Sequence, residues 1–139
     1  MSHPIPHTYI DTSALIRALD ANHPSSPAIQ KFFRDEDLLE SGLYSSELTH
    51  LEAIRVAVRT DDENLRNRID AIFDSSFITT VPIDTQVMRA ARSLDIHVKS
   101  LDAIHVATNR THRSGWPVLT YDKNMIKVLN HYNIQTVSP

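Results

Sequence analysis

Four acids in this chain, Asp11, Glu52, Asp102 and Asp122, stand where local pattern can bring their carboxylates to one shared edge. Carboxylate and water oxygens without thiolates suit a hard divalent cation such as Mg²⁺ or Mn²⁺. An ion of this kind serves phosphodiester hydrolysis, because it activates water and offsets charge on phosphorus without a covalent nucleophile. Two like charges about 4 Å apart repel by about 4 kcal/mol at an effective dielectric of 20. Four converging carboxylates therefore oppose folding unless something positive sits among them.

Each acid must be positioned by an element, and each has a plainer use beside the chemical one. Asp11 closes the run Thr8-Tyr9-Ile10-Asp11, β-branched and aromatic, and precedes Thr12-Ser13-Ala14-Leu15, an apolar helical start. It therefore ends a strand and can also cap the next helix. Asp122 follows Val118-Leu119-Thr120-Tyr121 in the same way, again as strand end or N-cap. In open α/β sheets functional groups collect beyond the carboxyl ends of strands, where both acids fall. Glu52 and Asp102 must then come from helices. Glu52 lies one place after Leu51 in Glu47–Arg59, whose Leu48, Leu51 and Val56 read as the face turned to the sheet. A carboxylate at the margin of a buried stripe needs a partner. Glu47, about 140° further round the helix, suits the positive end of the dipole instead. Asp102 sits in Leu101-Asp102-Ala103-Ile104-His105-Val106-Ala107, an apolar helix start that nevertheless carries a costly, poorly helical acid. It can offset the dipole there. His105, one turn on, can orient a carboxylate or sit satisfied in the core, in preference to binding metal.

The elements follow from period and punctuation. Strands are expected at Tyr9–Asp11, Leu43–Ser45, Phe77–Val81, Val118–Thr120 and Ile134–Val137. Helices are expected at Ala14–Leu19, from an Ser26 cap to Arg34, at Glu47–Arg59, Asp61–Phe73, Asp84–Leu94, Ser100–Thr111 and Lys123–Asn130. Short strands alternating with helices imply an α/β fold: a mainly parallel sheet of four to five strands with helices on both faces. At 139 residues, 1–139 is expected to form one domain.

Composition removes several function classes. Only two glycines, Gly42 and Gly115, leave no phosphate-cradling loop of the P-loop or dinucleotide kind. Cysteine is absent and no His-x-x-x-His pair falls on one expected helix, so a zinc site is not expected. No apolar run approaches the about 20 residues that cross a bilayer, and Met1–His7 lacks the regions of a signal peptide, so a soluble, cytoplasmic protein is expected. A net charge of −3 argues against wrapping nucleic acid through bulk positive charge. Local cations suffice for a nuclease, and Arg17, Arg55, Arg59, Lys99, Arg110, Arg113 and Lys123 lie near the acids in sequence or at helical spacing from them.

These residues together resemble a family, the PIN-domain ribonucleases, and within it the VapC-type toxins of bacterial and archaeal toxin–antitoxin pairs. Tyr9-Ile10-Asp11-Thr12-Ser13-Ala14-Leu15 is similar to the family's first motif, and Ser46-Glu47-Leu48-Thr49 through Glu52 to its second. Leu101 to Ala107 and Thr120-Tyr121-Asp122 are similar to the third and fourth, in order and across nearly the whole chain. The resemblance implies a PIN-like domain, metal-dependent hydrolysis of RNA (tRNA and rRNA among the candidates), homodimers and a small cognate antitoxin. It implies Asp11, Glu52, Asp102 and Asp122 as metal-site acids, Asp122 directly or through water. Thr120 would support them with its hydroxyl, and Thr12 or Ser13 would do so beside the first strand.

Other acid-bearing α/β classes fit less well. A response-regulator phosphoacceptor expects an adjacent acidic pair after the first strand, and a haloacid-dehalogenase-type phosphatase expects an acid at position 13, which is Ser. The alternatives retained are a DNA-directed nuclease, since no residue here reads a 2′-hydroxyl, and a PIN-like scaffold that docks partners without cutting.

Overall fold

A computed structural model describes residues 8–36, 42–113 and 116–139 of the chain. Met1–His7 and Gly115 lie outside the described residues. Strands β1 (Thr8–Ile10), β2 (Leu43–Ser46), β3 (Ile78–Val81), β4 (Val118–Leu119) and β5 (Thr136–Val137) form one sheet in the order β3-β2-β1-β4-β5. Every pairing is parallel, with Tyr9 opposite Tyr44 on one side and Val118 on the other. Strand order reverses beside β1, so the C-terminal ends of β1 and β4 flank a topological switch point, the place where such sheets carry sites.

The strands are too short to be amphipathic by length, yet alternation assigns their faces. Ile10, Leu43 and Leu119 enter one apolar cluster, whereas Tyr9, Tyr44 and Val118 enter another on the opposite face. The first cluster is covered by α1 (Thr12–Leu19), α2 (Ser26–Asp35), α3 (Glu47–Arg59) and α4 (Glu63–Asp74). The second takes Val106 from α6 (Ser100–Arg113) and Met125, Val128 and Leu129 from α7 (Lys123–His131), while α5 (Thr85–Arg92) packs along α6. Among the described residues, no helix is long and apolar enough to cross a membrane.

Three local expectations are corrected. The face of α3 turned inward is Thr49, Ala53 and Ala57, while Leu51 is 58% exposed. Small side chains at this spacing let the helix approach its neighbours closely, and the leucines are displaced outward. Ser25 rather than Ser26 precedes α2, without a side-chain cap, because Pro27 already supplies a residue with no N–H to satisfy in the first turn. The next helix starts at Glu63 and not at Asp61, whose φ of 53° takes it out of helical geometry and leaves Asp62 to cap Leu65 N–H.

Candidate active site

The C-terminal ends of β1 and β4 place Asp11 and Thr120 side by side. Backbone bonds from Tyr9 N to Pro117 O and from Asp11 N to Leu119 O hold the two strand ends in register. Asp11 is 3% exposed, and Thr120 donates to its Oδ2 at 2.5 Å. Ser13 Oγ donates to Oδ1 at 2.8 Å while Ala14 N–H donates to the same oxygen at 3.0 Å, so the acid caps α1 as well. Ser13 Oγ in turn accepts from Tyr121 N–H, which ties the two strand ends together through one hydroxyl. Burial raises the Asp11 pKa, and the Thr120, Ala14 and Ser13 hydrogen bonds only partly offset it.

Asp122 follows two residues later. Its N–H donates to Thr120 Oγ1, and its Oδ1 accepts from Asn124 and Met125 N–H as the cap of α7. Both acids at strand ends are therefore helix caps, and capping occupies mainly one oxygen of each.

Glu52 comes from α3, half-buried, with Oε1 accepting from Thr12 Oγ1 at 2.7 Å and paired with His105 Nε2 at 2.7 Å. His105 is 4% exposed on α6, and its Nδ1 meets Tyr9 Oη at 2.7 Å, which also reaches Ser46 Oγ at 3.1 Å and Thr49 Oγ1 at 3.4 Å. An imidazolium donates from both nitrogens, to the Tyr9 oxygen and to Glu52, and the Tyr9 hydrogen passes on to a hydroxyl. Burial pushes the His105 pKa down, but Tyr9 and Glu52 outweigh it and the net shift is upward. Burial likewise pushes Glu52 up, and the His105 and Thr12 contacts reverse it, leaving its pKa lowered. The two shifts agree on an ion pair. The histidine thus orients an acid, one of its two sequence-based uses.

Asp102 differs from the others. It lies half-buried in the first turn of α6, and among the described residues its carboxylate has no hydrogen-bond donor. Desolvation raises its pKa, as does the charge of Asp122, with smaller contributions from Glu52 and Asp11 against relief from His105. Asp102 thus lies within electrostatic reach of the other three predicted acids. Among the described residues, no three acidic or histidine side chains already close around a single ion position. Like charges hold themselves apart, and hydrogen bonds to local donors keep them so.

The donor set fits a hard dication nonetheless. Glu52 Oε2, Asp122 Oδ2 and both oxygens of Asp102 are without hydrogen bonds among the described residues, and Asp11 Oδ2 carries only the Thr120 contact. Three carboxylates with an oxygen free of hydrogen bonds beside the fully bonded Asp11, two of the four acids having raised pKa, form a site that a cation would relieve. Sequence reasoning missed Tyr9, Ser46 and Thr49, which anchor His105, because nothing local links them. Of the seven basic residues suspected from sequence, Arg17 lies over the Tyr121 ring at 4.2 Å and Arg110 over Tyr132 at 4.0 Å. These are stacking contacts; Tyr121 adjoins Asp122, whereas Arg110 and Tyr132 lie towards the C-terminal ends of α6 and α7, away from Asp102 and Asp122.

A parallel sheet with a reversed strand order and an acidic pole at its switch point is the architecture of an α/β domain built for a site at the strand ends. The chain belongs to the PIN-domain family, whose sequence model matches residues 8–129. Its fold is similar to that of a Mycobacterium tuberculosis protein, VapC20, described as a sarcin-ricin loop cleaving toxin, with a TM-score of 0.76, 14% identity, and 95% of this chain and 99% of that one covered. It is also similar to a chain of Rickettsia felis VapBC2 bound to a DNA fragment from their promoter, with a TM-score of 0.69, 12% identity, and 94% and 96% covered. A chain of Neisseria gonorrhoeae FitAcB matches with a TM-score of 0.67, 16% identity, and 95% and 97% covered. At such identities the likeness is one of fold. No curated protein matches the sequence.

Proposed function

We propose that residues 1–139 act as one PIN domain, a metal-dependent endoribonuclease serving as the toxin of a type II toxin–antitoxin pair. The observation that carries this reading is the gathering of Asp11, Glu52, Asp102 and Asp122 at the switch point, all but Asp11 with an oxygen free of hydrogen bonds. Family membership and the VapC-like fold support the nuclease and toxin parts, and the RNA-cleaving description of VapC20 supports RNA over DNA.

Asp11, Asp102, Glu52 and Asp122 would hold Mg²⁺ or Mn²⁺. Such an ion, when bound, supplies charge stabilisation at phosphorus and a more acidic water. The chain's own residues do the rest. Thr120 and Ser13 hold the Asp11 carboxylate in place and partly offset the upward push of burial on its pKa. His105 fixes Glu52 and leaves Oε2 directed by that anchor, while Thr12 holds the same carboxylate from the other side. Asp102, with no donor of its own, is the carboxylate freest to accept a proton from an attacking water, and its raised pKa suits a general base.

A homodimer and a cognate antitoxin complete the reading, and the cytoplasm is the compartment it implies. Leu51 and Leu101, 58% and 50% exposed beside Arg55 and Arg59, offer apolar surface for either partner. An antitoxin arginine would pair bidentately with these carboxylates. The test is incubation of antitoxin-free protein with total RNA and a matched DNA under Mg²⁺, Mn²⁺ and EDTA, with Asp102→Asn alongside. Discrete RNA fragments that vanish with EDTA and with the variant are expected. Cleavage of DNA alone makes it a DNA-directed nuclease, and intact nucleic acid in every lane favours a non-catalytic scaffold.

A further inference from the structure

A cleft of about 510 Å³ opens beside the acidic pole, between the segment 96–99 and α7, with Asp102 in its wall. It is distinct in character from the pole. Ile96, Val98 and Val128 give it an apolar lining, while Lys99 and Lys127 contribute exposed ammonium groups. Among the described residues neither lysine is paired with a carboxylate. His131, also in the wall, is turned to Asp95, with Nε2 3.2 Å from Oδ1.

The combination defines a ligand. A volume in the usual range for small-molecule sites holds one nucleotide, not a duplex. Apolar side chains accept the face of a base, and unpaired lysines accept a phosphate as point charges. The carboxylate of Asp102 in the same wall repels anions, so a phosphate seated on the lysines stands back from it while the adjoining phosphodiester reaches the pole. A protein segment rich in acids would meet the two lysines equally well, but it would leave the apolar lining without a flat partner.

Resting on the nuclease reading above, we propose that this cleft is the subsite for the nucleotide next to the scissile phosphate of single-stranded RNA, with Lys99 and Lys127 on its phosphate and Ile96, Val98 and Val128 under its base. Lys127 was not among the cations singled out in the sequence. It lies one helical turn beyond Lys123, on the face of α7 that Asn124 and Val128 share in the cleft.

The test measures binding apart from cleavage. The full-length, antitoxin-free chain carrying Asp11→Asn is titrated into a fluorescein-labelled single-stranded RNA 12-mer of mixed sequence, across a salt series, followed by fluorescence anisotropy. Lys99→Ala with Lys127→Ala should weaken binding about tenfold or more. It should also flatten the plot of log affinity against log salt by about 1.4, because each phosphate contact on a single strand contributes about 0.7. Lys31→Ala, on α2, should change neither. Melting temperatures within about 2 °C of the parent show that the exposed lysines were removed without loss of fold. Unchanged affinity and slope in the double variant overturn the proposal, as does double-variant loss of binding to an Asp/Glu-rich peptide with RNA binding intact. If the parent chain cuts no RNA yet the lysine dependence of RNA binding holds, the nuclease reading fails, and the cleft stands as a single-stranded RNA site with no scissile phosphate beside it.

Discussion

Replacing Asp102 by Asn should stabilise the protein when divalent metal is withheld. The Asp102 carboxylate is half-buried, lacks a donor among the described residues, and is disfavoured in its charged form by desolvation and by Asp122, Glu52 and Asp11. At an effective dielectric of 20, one like charge about 8 Å away costs about 2 kcal/mol. Solvent screening of a half-exposed group reduces the sum of such repulsions severalfold. Loss of the favourable contact between a first-turn acid and the dipole of α6 takes back about 0.5 kcal/mol. The net expectation is a gain of about 1 kcal/mol, or about 3–4 °C in Tm for a domain of this size. The assay is thermal unfolding in EDTA and again across a MnCl₂ titration. The wild type should gain about 2.7 kcal/mol at a hundredfold excess over Kd, and Asp102→Asn should lose most of that response. A lower Tm for the variant in EDTA would show that the four acids do not burden one another, and the argument for a cation site would go with it.

Thr120→Val removes the donor on Asp11 Oδ2 and should cost about 1–2 kcal/mol in stability. The same change lets burial raise the Asp11 pKa further, so the acid limb of RNA cleavage should move to higher pH, as read from a kcat–pH profile. Tyr9→Phe leaves a buried His105 nitrogen without its partner and should cost about 1–3 kcal/mol in urea unfolding. His105→Gln probes linkage. A raised histidine pKa means that the folded state holds an extra proton above the ordinary 6.5, so wild-type stability is full below that value and falls as pH rises towards about 10. That limb should slope by up to about 1.4 kcal/mol per pH unit in the wild type and flatten in the variant.

The strand ends were legible because the residue types that stop a short parallel strand are also the ones proposed to do chemistry there. Asp11 and Asp122 each follow a β-branched or aliphatic run and precede a helix, and both fall at the switch point. The inward face of α3 was not legible. Hydrophobicity favoured Leu48, Leu51 and Val56, but close approach to the neighbouring elements selected Thr49, Ala53 and Ala57, a choice set by the shape of what lies opposite. The hydrogen-bond chain from Tyr9 through His105 to Glu52 was equally hidden, since it joins three elements distant in sequence. His105 signalled only that a carboxylate stood one turn away, and the structure pairs it with Glu52 from another helix.

Capping and the proposed metal-site role do not compete for Asp11 and Asp122. A cap needs one oxygen at the positive end of a helix, and in each acid Oδ1 makes the backbone contacts. The amides fix the carboxylate's rotation, and the second oxygen is left with the Thr120 hydroxyl alone in Asp11 and without a hydrogen bond among the described residues in Asp122. Glu52 obtains the same result by different means, with His105 and Thr12 both on Oε1 and Oε2 left over. Only Asp102 is unanchored, which makes it the acid best able to move as charge at the pole changes. An immobile Asp102 between metal-free and Mn²⁺-loaded protein, followed by the NMR shift of its carboxyl carbon against those of Asp11 and Glu52, would contradict that division of labour. A shift larger at Asp102 than at the anchored pair is the expected result.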